Sequence, residues 1–165
     1  MSQTRTALAC AARVSFLLTV VLARLLPAEV TMITLPGDFA DFAIHPKTAD
    51  IIALSAETDK AFFFRDAHEK ATPSAKLRVG STPCSVCFKQ YADQSVFAVV
   101  CSQDSHMYLI DSETFELVKQ IELAQAGVSN VTCSINQEDP FIYYNFGGGH
   151  GSAAGVVSLR DMRDH

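Results

Sequence analysis

The chain of 165 residues contains no tryptophan and few basic residues, and 19% of it is charged. Leaving out residues 1–28 removes three of the 13 basic residues and none of the 18 acidic ones, which takes the formal charge from −5 to −8. Binding to phosphate backbones needs clustered Lys and Arg. The composition therefore argues against nucleic acid as a partner.

Residues 1–28 carry Arg but no acid, and they include the apolar-rich run Val14–Ala23. Ten residues are too few to cross a bilayer of roughly 30 Å, but they suit the hydrophobic region of a secretory signal. We expect a helical hydrophobic leader over 1–28 that places the domain 29–165 in the periplasm or outside the cell. An uncleaved membrane anchor, an ordinary buried helix and a misplaced gene start are the alternatives.

Residues 85–123 hold one complete repeat of short strand patterns. Ser95–Cys101 is rich in β-branched and aromatic residues, and His106–Ile110 ends at Asp111. Asp and Ser residues between these runs favour turns. Four short strands within about 40 residues are typical of one propeller blade.

Shifts of 44 or 45 residues superpose other segments on this repeat. A shift of 44 places Phe42–Ile44 on Val86–Phe88, and a shift of 45 places Phe62–Phe64 on Met107–Leu109. Such an ordered series predicts strands throughout the chain. They are expected near residues 30–35, 40–44, 50–55, 61–65, 75–79, 85–88, 95–101, 106–110, 116–123, 130–134, 141–145 and 155–160.

We therefore expect an all-β fold, a partial β-propeller of about three four-stranded antiparallel blades. The strand near Val30 would be a fourth strand without the first three, and it could complete the last blade. Closed propellers have four to eight blades, and exposed strand edges are templates for pairing with other chains. The domain is expected to be a segment of a larger propeller, or to bind a protein partner or itself through open blade edges.

Three segments carry a family resemblance: Phe42–Pro46, Gly80–Pro83 and Tyr108–Thr114. Residues 30–161 resemble the YVTN-type and WD-repeat-like β-propellers. The Trp-Asp dipeptide of true WD repeats is missing, because Arg65, Ile110 or Arg160 precedes each equivalent Asp. The resemblance implies a platform for binding and does not identify a ligand.

Cys84 and Cys87 have the CxxC spacing of zinc and redox sites. Zinc would need a second pair, and a redox motif of this spacing usually begins a helix, whereas this one enters a predicted strand. The two residues are thus weak metal candidates, and small core residues or a disulfide are the alternatives. Together with Cys101 and Cys133 they allow three pairings, which the sequence does not distinguish.

The flexible stretch Gly147, Gly148, Gly149 and His150 is a candidate interaction loop, and it lacks the Lys and Ser/Thr of a phosphate loop. Elsewhere, the equivalent residues Asp66, Asp111 and Asp161 are predicted to cap turns. The aromatic runs Phe62–Phe64 and Tyr143–Tyr144 are predicted to alternate between core and surface. Their exposed members would form an adhesive patch.

No Ser-His-Asp, paired-carboxylate or Walker-type set can be assembled from the sequence, and no cofactor is predicted. The leading hypothesis is a non-catalytic protein-interaction or ligand-binding module. The alternative is part of a propeller enzyme, a hydrolase or a quinoprotein-like oxidoreductase, whose site is incomplete here. Such an enzyme would bind a divalent metal or a quinone.

Overall fold

The computed structural model describes residues 34–67, 69–123, 127–146 and 153–160. These residues form eleven β-strands in chain order, and none of them belongs to a helix long and apolar enough to cross a membrane. The strands are β1 (Asp41–Ile44), β2 (Ile51–Ser55), β3 (Lys60–Phe64), β4 (Ala75–Arg78), β5 (Pro83–Tyr91), β6 (Gln94–Cys101), β7 (His106–Asp111), β8 (Leu117–Glu122), β9 (Val128–Cys133), β10 (Phe141–Phe146) and β11 (Ala153–Ser158).

The strands pair into three antiparallel sheets, each in chain order. Sheet 1 is β1–β4, sheet 2 is β5–β8, and sheet 3 contains β9, β10 and β11 within the described residues. This confirms the expected all-β fold. Eleven of the twelve predicted strands correspond to β1–β11. The remaining one is predicted at residues 30–35; residues 30–33 lie outside the described part, and Thr34 and Leu35 are in no strand.

The strands are joined by short turns. Some turn residues adopt left-handed backbone angles, and some turns are stabilised by a side chain that accepts hydrogen bonds from backbone N–H groups. Ala92, at a φ of 52°, lies in the two-residue turn between β5 and β6. The Asp111 carboxylate accepts hydrogen bonds from the backbone N–H groups of Glu113 (2.9 Å) and Thr114 (2.7 Å). The predicted capping role of Asp111 is therefore confirmed; Asp161 lies outside the described residues.

The first hairpins of sheets 1 and 2 differ in length by two residues. The pair of Ile44 with Ile51 in sheet 1 is equivalent to the pair of Phe88 with Phe97 in sheet 2. The shift that superposes sheet 1 on sheet 2 is therefore 44 residues for the first strand and 46 residues for the second and third strands. The predicted shift of 45 for Phe62–Phe64 was wrong by one. Because side chains alternate between faces, this error places each residue on the wrong side of the sheet.

The first strands of the three sheets, β1, β5 and β9, lie next to one another. The sheets therefore pack face to face in sequence, with the first strands innermost. One apolar cluster joins sheets 1 and 2 and includes Phe63 and Phe97, and a second joins sheets 2 and 3 and includes Leu109 and Ile142. Each such fully buried side chain contributes roughly 1.5–3 kcal/mol relative to exposure.

One pair of residues on neighbouring strands differs between sheets 2 and 3. Val99 lies opposite Tyr108 in sheet 2, and the equivalent residues in sheet 3 are Tyr144 and Gly155. A Cβ atom on Gly155 would lie 2.2 Å from Cζ of Tyr144. The aromatic residue of this pair is thus on the third strand in sheet 2 and on the second strand in sheet 3. In sheet 3 the ring occupies the space opposite it, so only glycine fits at position 155.

Candidate functional site

The outward face of sheet 3, the face turned away from sheet 2, is the candidate site. Strand β10 alternates strictly: Ile142 and Tyr144 are buried against sheet 2, whereas Tyr143 is 42% exposed on the other side. Val156 lies directly opposite Tyr143 on β11 and is 52% exposed. The outward face consists of Asn130, Thr132, Phe141, Tyr143, Asn145, Ala154 and Val156.

The equivalent face of sheet 2 is covered by sheet 3. Cross-strand pairing makes Ala98 the counterpart of Tyr143 and Leu109 the counterpart of Val156. Both sheet 2 residues have no exposed surface. The predicted alternation of Tyr143 and Tyr144 is confirmed, and Tyr143 is the exposed member.

A shallow depression of about 190 Å³ lies on the outward face, lined by Asn130, Thr132, Tyr143 and Ala154 among others. Its lining is mainly apolar and includes two side-chain amides. The Ser129 hydroxyl donates to Oδ1 of Asn145 at 2.9 Å, which holds one of these amides in place. The depression is small compared with the ~300–1,000 Å³ of typical small-molecule pockets.

A row of polar side chains crosses the innermost strands and ends at this depression. Oδ2 of Asp41 on β1 accepts from the Ser85 hydroxyl (3.0 Å) and from the Val86 backbone N–H (2.9 Å). The Ser85 hydroxyl also lies 3.0 Å from the side-chain amide of Asn130 on β9. Asp41, Ser85 and Asn130 occupy equivalent positions in the three sheets, and Asn130 is exposed at the end of the row.

Two further contacts fix sheet 3 to sheet 2 near the innermost strands. Cys87 on β5 and Cys133 on β9 form a disulfide. Lys89 is buried, and its Nζ donates to the carbonyl oxygens of Ser134 (3.0 Å) and Asn136 (2.8 Å). Burial lowers the pKa of Lys89, against a smaller opposing effect of the Asp139 charge. These links hold the outward face in a fixed position.

The opposite end of the stack shows a second exposed apolar surface. On β1, Phe42 is 59% exposed and Ile44 is 49% exposed, and both point away from sheet 2. On the same face of sheet 1, beside this pair, Leu35 and Phe39 pack on a buried cluster of β2 and β3 that includes Phe64. Among β1, β2 and β3, the exposed side chains of this face are therefore those of β1. We call the exposed pair Phe42 and Ile44 the β1 surface.

The cysteines of the CxxC pattern are not paired with each other. Cys87 is bonded to Cys133, so it is not available as a thiolate. The sulfur of Cys84 lies within hydrogen-bond distance of the carbonyl oxygens of Val128 (3.3 Å) and Val100 (3.5 Å). Burial is the main reason that the pKa of Cys84 is raised and that of Cys101 is about 12. Both thiols are therefore protonated and unreactive at neutral pH.

The structure leaves other predicted site residues untested. Gly147, Gly148, Gly149 and His150 fall outside the described residues, as does the leader 1–28. Within the part of the chain that the structure describes, no three His, Cys, Asp or Glu side chains are grouped to hold a metal ion.

Asp104, in the turn between β6 and β7, holds two aromatic side chains. The Tyr108 hydroxyl donates to its Oδ2 at 2.6 Å, and Nδ1 of His106 lies 2.5 Å from its Oδ1. Burial alone would raise the pKa of Asp104, but the hydrogen bonds from Tyr108 and His106 and the His106 charge lower it below the ordinary value. A Cβ atom on Gly80 would lie 2.1 Å from Oδ2 of Asp104, so this cluster is tightly packed against the chain that joins sheets 1 and 2.

No protein-family model matches the chain, and no curated protein matches it. Solved structures do match. Hydrazine synthase from Kuenenia stuttgartiensis is similar with a TM-score of 0.62 and 18% identity, over 73% of this chain and 34% of that one. The dihydro-heme d1 dehydrogenase NirN gives 0.60 and 13%, over 76% and 27%. A functionally unknown protein from Desulfotomaculum acetoxidans gives 0.59 and 14%, over 78% and 42%.

Hydrazine synthase and NirN have β-propeller-type folds. The fold is a partial β-propeller. At these identities the similarity concerns the fold and not the activity. The chain spans about a third of the matched hydrazine synthase chain and about a quarter of the NirN chain.

Sequence reasoning missed the polar row and the buried Lys89. A signal for the row existed, because Asp41, Ser85 and Asn130 are spaced by 44 and 45 residues, the same shifts that relate the strands. No signal identified Lys89, since a lysine in a strand is ordinarily exposed. Its burial depends on two carbonyl oxygens in the loop after β9.

Proposed function

We propose that the chain is a non-catalytic protein-binding module whose recognition surface is the outward face of sheet 3. One observation carries the proposal: this face is exposed, although the equivalent face of sheet 2 is completely covered by another β-sheet. Its aromatic and β-branched side chains stand in a regular row on paired strands. Its preferred partner is therefore a second β-sheet or strand that packs against it.

The shape of the surface favours a protein over a small molecule. The depression beside Tyr143 is shallow and holds about 190 Å³, whereas small-ligand sites are deeper and larger. Exposed Tyr143 and Phe141 supply large apolar area at a low entropic cost. An aromatic surface that also carries amide groups is typical of protein interfaces.

We propose further that the module belongs to the YVTN-type or WD-repeat-like propellers and works outside the cytoplasm. The turn cap of Asp111 and the close packing at Gly80 support the first point. The disulfide between Cys87 and Cys133 supports the second, because disulfides persist in oxidising compartments. Export by residues 1–28 would supply that environment.

A crosslinking experiment tests the binding function. A photoreactive phenylalanine analogue replaces Tyr143, and in a matched control it replaces Val118, which is 51% exposed on the outer strand β8. We expect protein adducts from position 143 in cells that produce the full chain, and far fewer from position 118. Equal labelling at both positions, or none at 143, would contradict the proposal.

The enzyme alternative makes a different prediction. A propeller hydrolase or quinoprotein-like oxidoreductase would carry a divalent metal or a quinone, which elemental analysis and absorbance of the protein purified from its own cells would detect. A stoichiometric metal or quinone would contradict the non-catalytic function. Its absence would leave that function to be decided by the crosslinking result.

A further inference from the structure

We propose that the partner of the outward face of sheet 3 is a second copy of this chain, bound head to tail through its β1 surface. The inference rests on the proposed function, and it adds the identity of the partner and the contact residues. In this arrangement β1 of one copy docks on β9 and β10 of the next copy.

The two sheet-to-sheet contacts inside the chain supply the template. Strand β5 docks on β1 and β2, and strand β9 docks on β5 and β6. In both contacts the innermost strand of one sheet lies on the first two strands of the preceding sheet. The outward faces of β9 and β10 present the next surface of this series, and they are exposed.

The strand that fits this surface is β1. Phe42 occupies the position of Val86 on β5 and Val131 on β9, and Ile44 occupies that of Phe88. Val86 and Val131 are both buried against the preceding sheet, whereas Phe42 is 59% exposed. The larger Phe42 side chain would enter the depression lined by Asn130, Thr132 and Tyr143.

The polar row has complementary ends, which sets the register of the contact. One end is the carboxylate of Asp41, an acceptor, and the other is the exposed side-chain amide of Asn130, which carries two N–H donors. Head-to-tail docking places Asn130 of one copy beside Asp41 of the next. An N–H group of Asn130 would then donate to the Asp41 carboxylate between copies, with the donor on the preceding sheet, whereas in the Ser85–Asp41 hydrogen bond the donor is on the following sheet.

Each copy would use two different surfaces, so the contact is head to tail. Head-to-tail contacts close into rings when the rotation per subunit closes, and form filaments when it does not; in a ring of two copies the twofold axis makes the same contact twice. Two copies would join six sheets, within the four to eight blades of closed propellers. We therefore expect a ring of two copies.

The test uses three variants of the full chain: Phe42→Arg, Tyr143→Arg, and the control Val118→Arg. All three positions are exposed, so each variant is expected to fold, and circular dichroism and cooperative melting check this. Native mass is measured by light scattering. We expect the wild type and Val118→Arg to have twice the chain mass, and Phe42→Arg and Tyr143→Arg to have the mass of one chain.

Mixing the two single-chain variants gives the decisive result. The Phe42→Arg chain keeps an intact outward face, and the Tyr143→Arg chain keeps an intact β1 surface, so the equimolar mixture regains one intact interface and forms dimers. Contact between two outward faces would leave Phe42→Arg dimeric, and contact through strand edges or residues 1–28 would leave both variants dimeric. Either outcome, or a wild type with the mass of one chain, would overturn the proposal.

The outcome also separates this inference from the binding function. If the wild type has the mass of one chain but position 143 crosslinks to a different protein, the second copy is excluded and the module still binds a partner. If position 143 crosslinks to nothing, both proposals fail. Adducts between two copies, joining position 143 to the segment around Phe42, support both.

Discussion

Sheets 2 and 3 share a strand order and a hydrogen-bonding pattern, yet only one of them is buried on both faces. Ala98 and Leu109 of sheet 2 lie beneath sheet 3, while their counterparts Tyr143 and Val156 are exposed. The exposed counterparts are nevertheless apolar. Exposed apolar surface on the face of an end sheet is typical of an interaction site, so the comparison supports the proposal that a partner binds sheet 3.

The largest expected effect comes from a matched pair of truncations. Leu109→Ala removes a fully buried side chain from between sheets 2 and 3 and should lower the free energy of unfolding by about 2–5 kcal/mol. Val156→Ala, at the equivalent exposed position, should change it by less than about 0.5 kcal/mol in the isolated chain.

Urea denaturation of single-chain samples, made with Phe42→Arg in the background, measures both values. A large loss for Val156→Ala there would mean that its face is already covered within one chain.

The disulfide sharpens the comparison, because it fixes sheet 3 to sheet 2. Replacing Cys87 and Cys133 together by Ser opens a link between residues 46 apart and should cost about 2–4 kcal/mol. The control Cys84→Ser changes a free, half-buried thiol and should cost less. The melting temperatures of the variants are compared with and without reductant. Equal melting temperatures for all of them would contradict a stabilising disulfide between Cys87 and Cys133.

A smaller effect is expected where sheets 1 and 2 connect. Gly80→Ala places a Cβ atom 2.1 Å from the Asp104 carboxylate and 2.7 Å from the Tyr108 hydroxyl. One of these groups has to move, which should destabilise the fold by about 1–3 kcal/mol. Gly127→Ala is a control for added size, since nothing lies within 4 Å of its Cβ position, although its φ of 86° adds strain of its own.

The smallest effect is a dependence on pH. The pKa of Asp104 is lower in the folded chain than its ordinary value of 3.8, so its contribution to stability is complete above that value and is lost as the pH falls through the folded pKa. Asp104→Asn should therefore remove part of the acid sensitivity of the wild type. Urea midpoints at pH 7 and pH 3 measure this, and equal drops for both proteins would contradict it.

The sequence was sufficient to predict the strands, because alternating patterns between turn residues recur along the chain. It was not sufficient to predict the faces of β2 and β3, since the hairpin longer by two residues in sheet 2 makes their shift 46 residues instead of the predicted 45. The partner of Cys87 was also beyond prediction. Cys133 lies on β9, and only the packing of innermost strands brings it near β5.

The candidate site was predicted in part. The alternation of Tyr143 and Tyr144 indicated one exposed aromatic residue. Whether another sheet covers this residue depends on contacts between strands that are distant in sequence. The periodicity of a single strand gives no information about such contacts. The CxxC spacing, by contrast, suggested a metal or redox site formed by Cys84 and Cys87. Cys87 is instead bonded to Cys133, so the two residues do not form such a site.

The native mass of the full chain, measured by light scattering across a wide range of protein concentration, tests the central claim most directly. If the outward face of sheet 3 is completed by the β1 surface of a second copy, the mass will be twice the 17.9 kDa of one chain and will fall to that of one chain in Tyr143→Arg. A wild type that stays at 17.9 kDa at every concentration would contradict the claim.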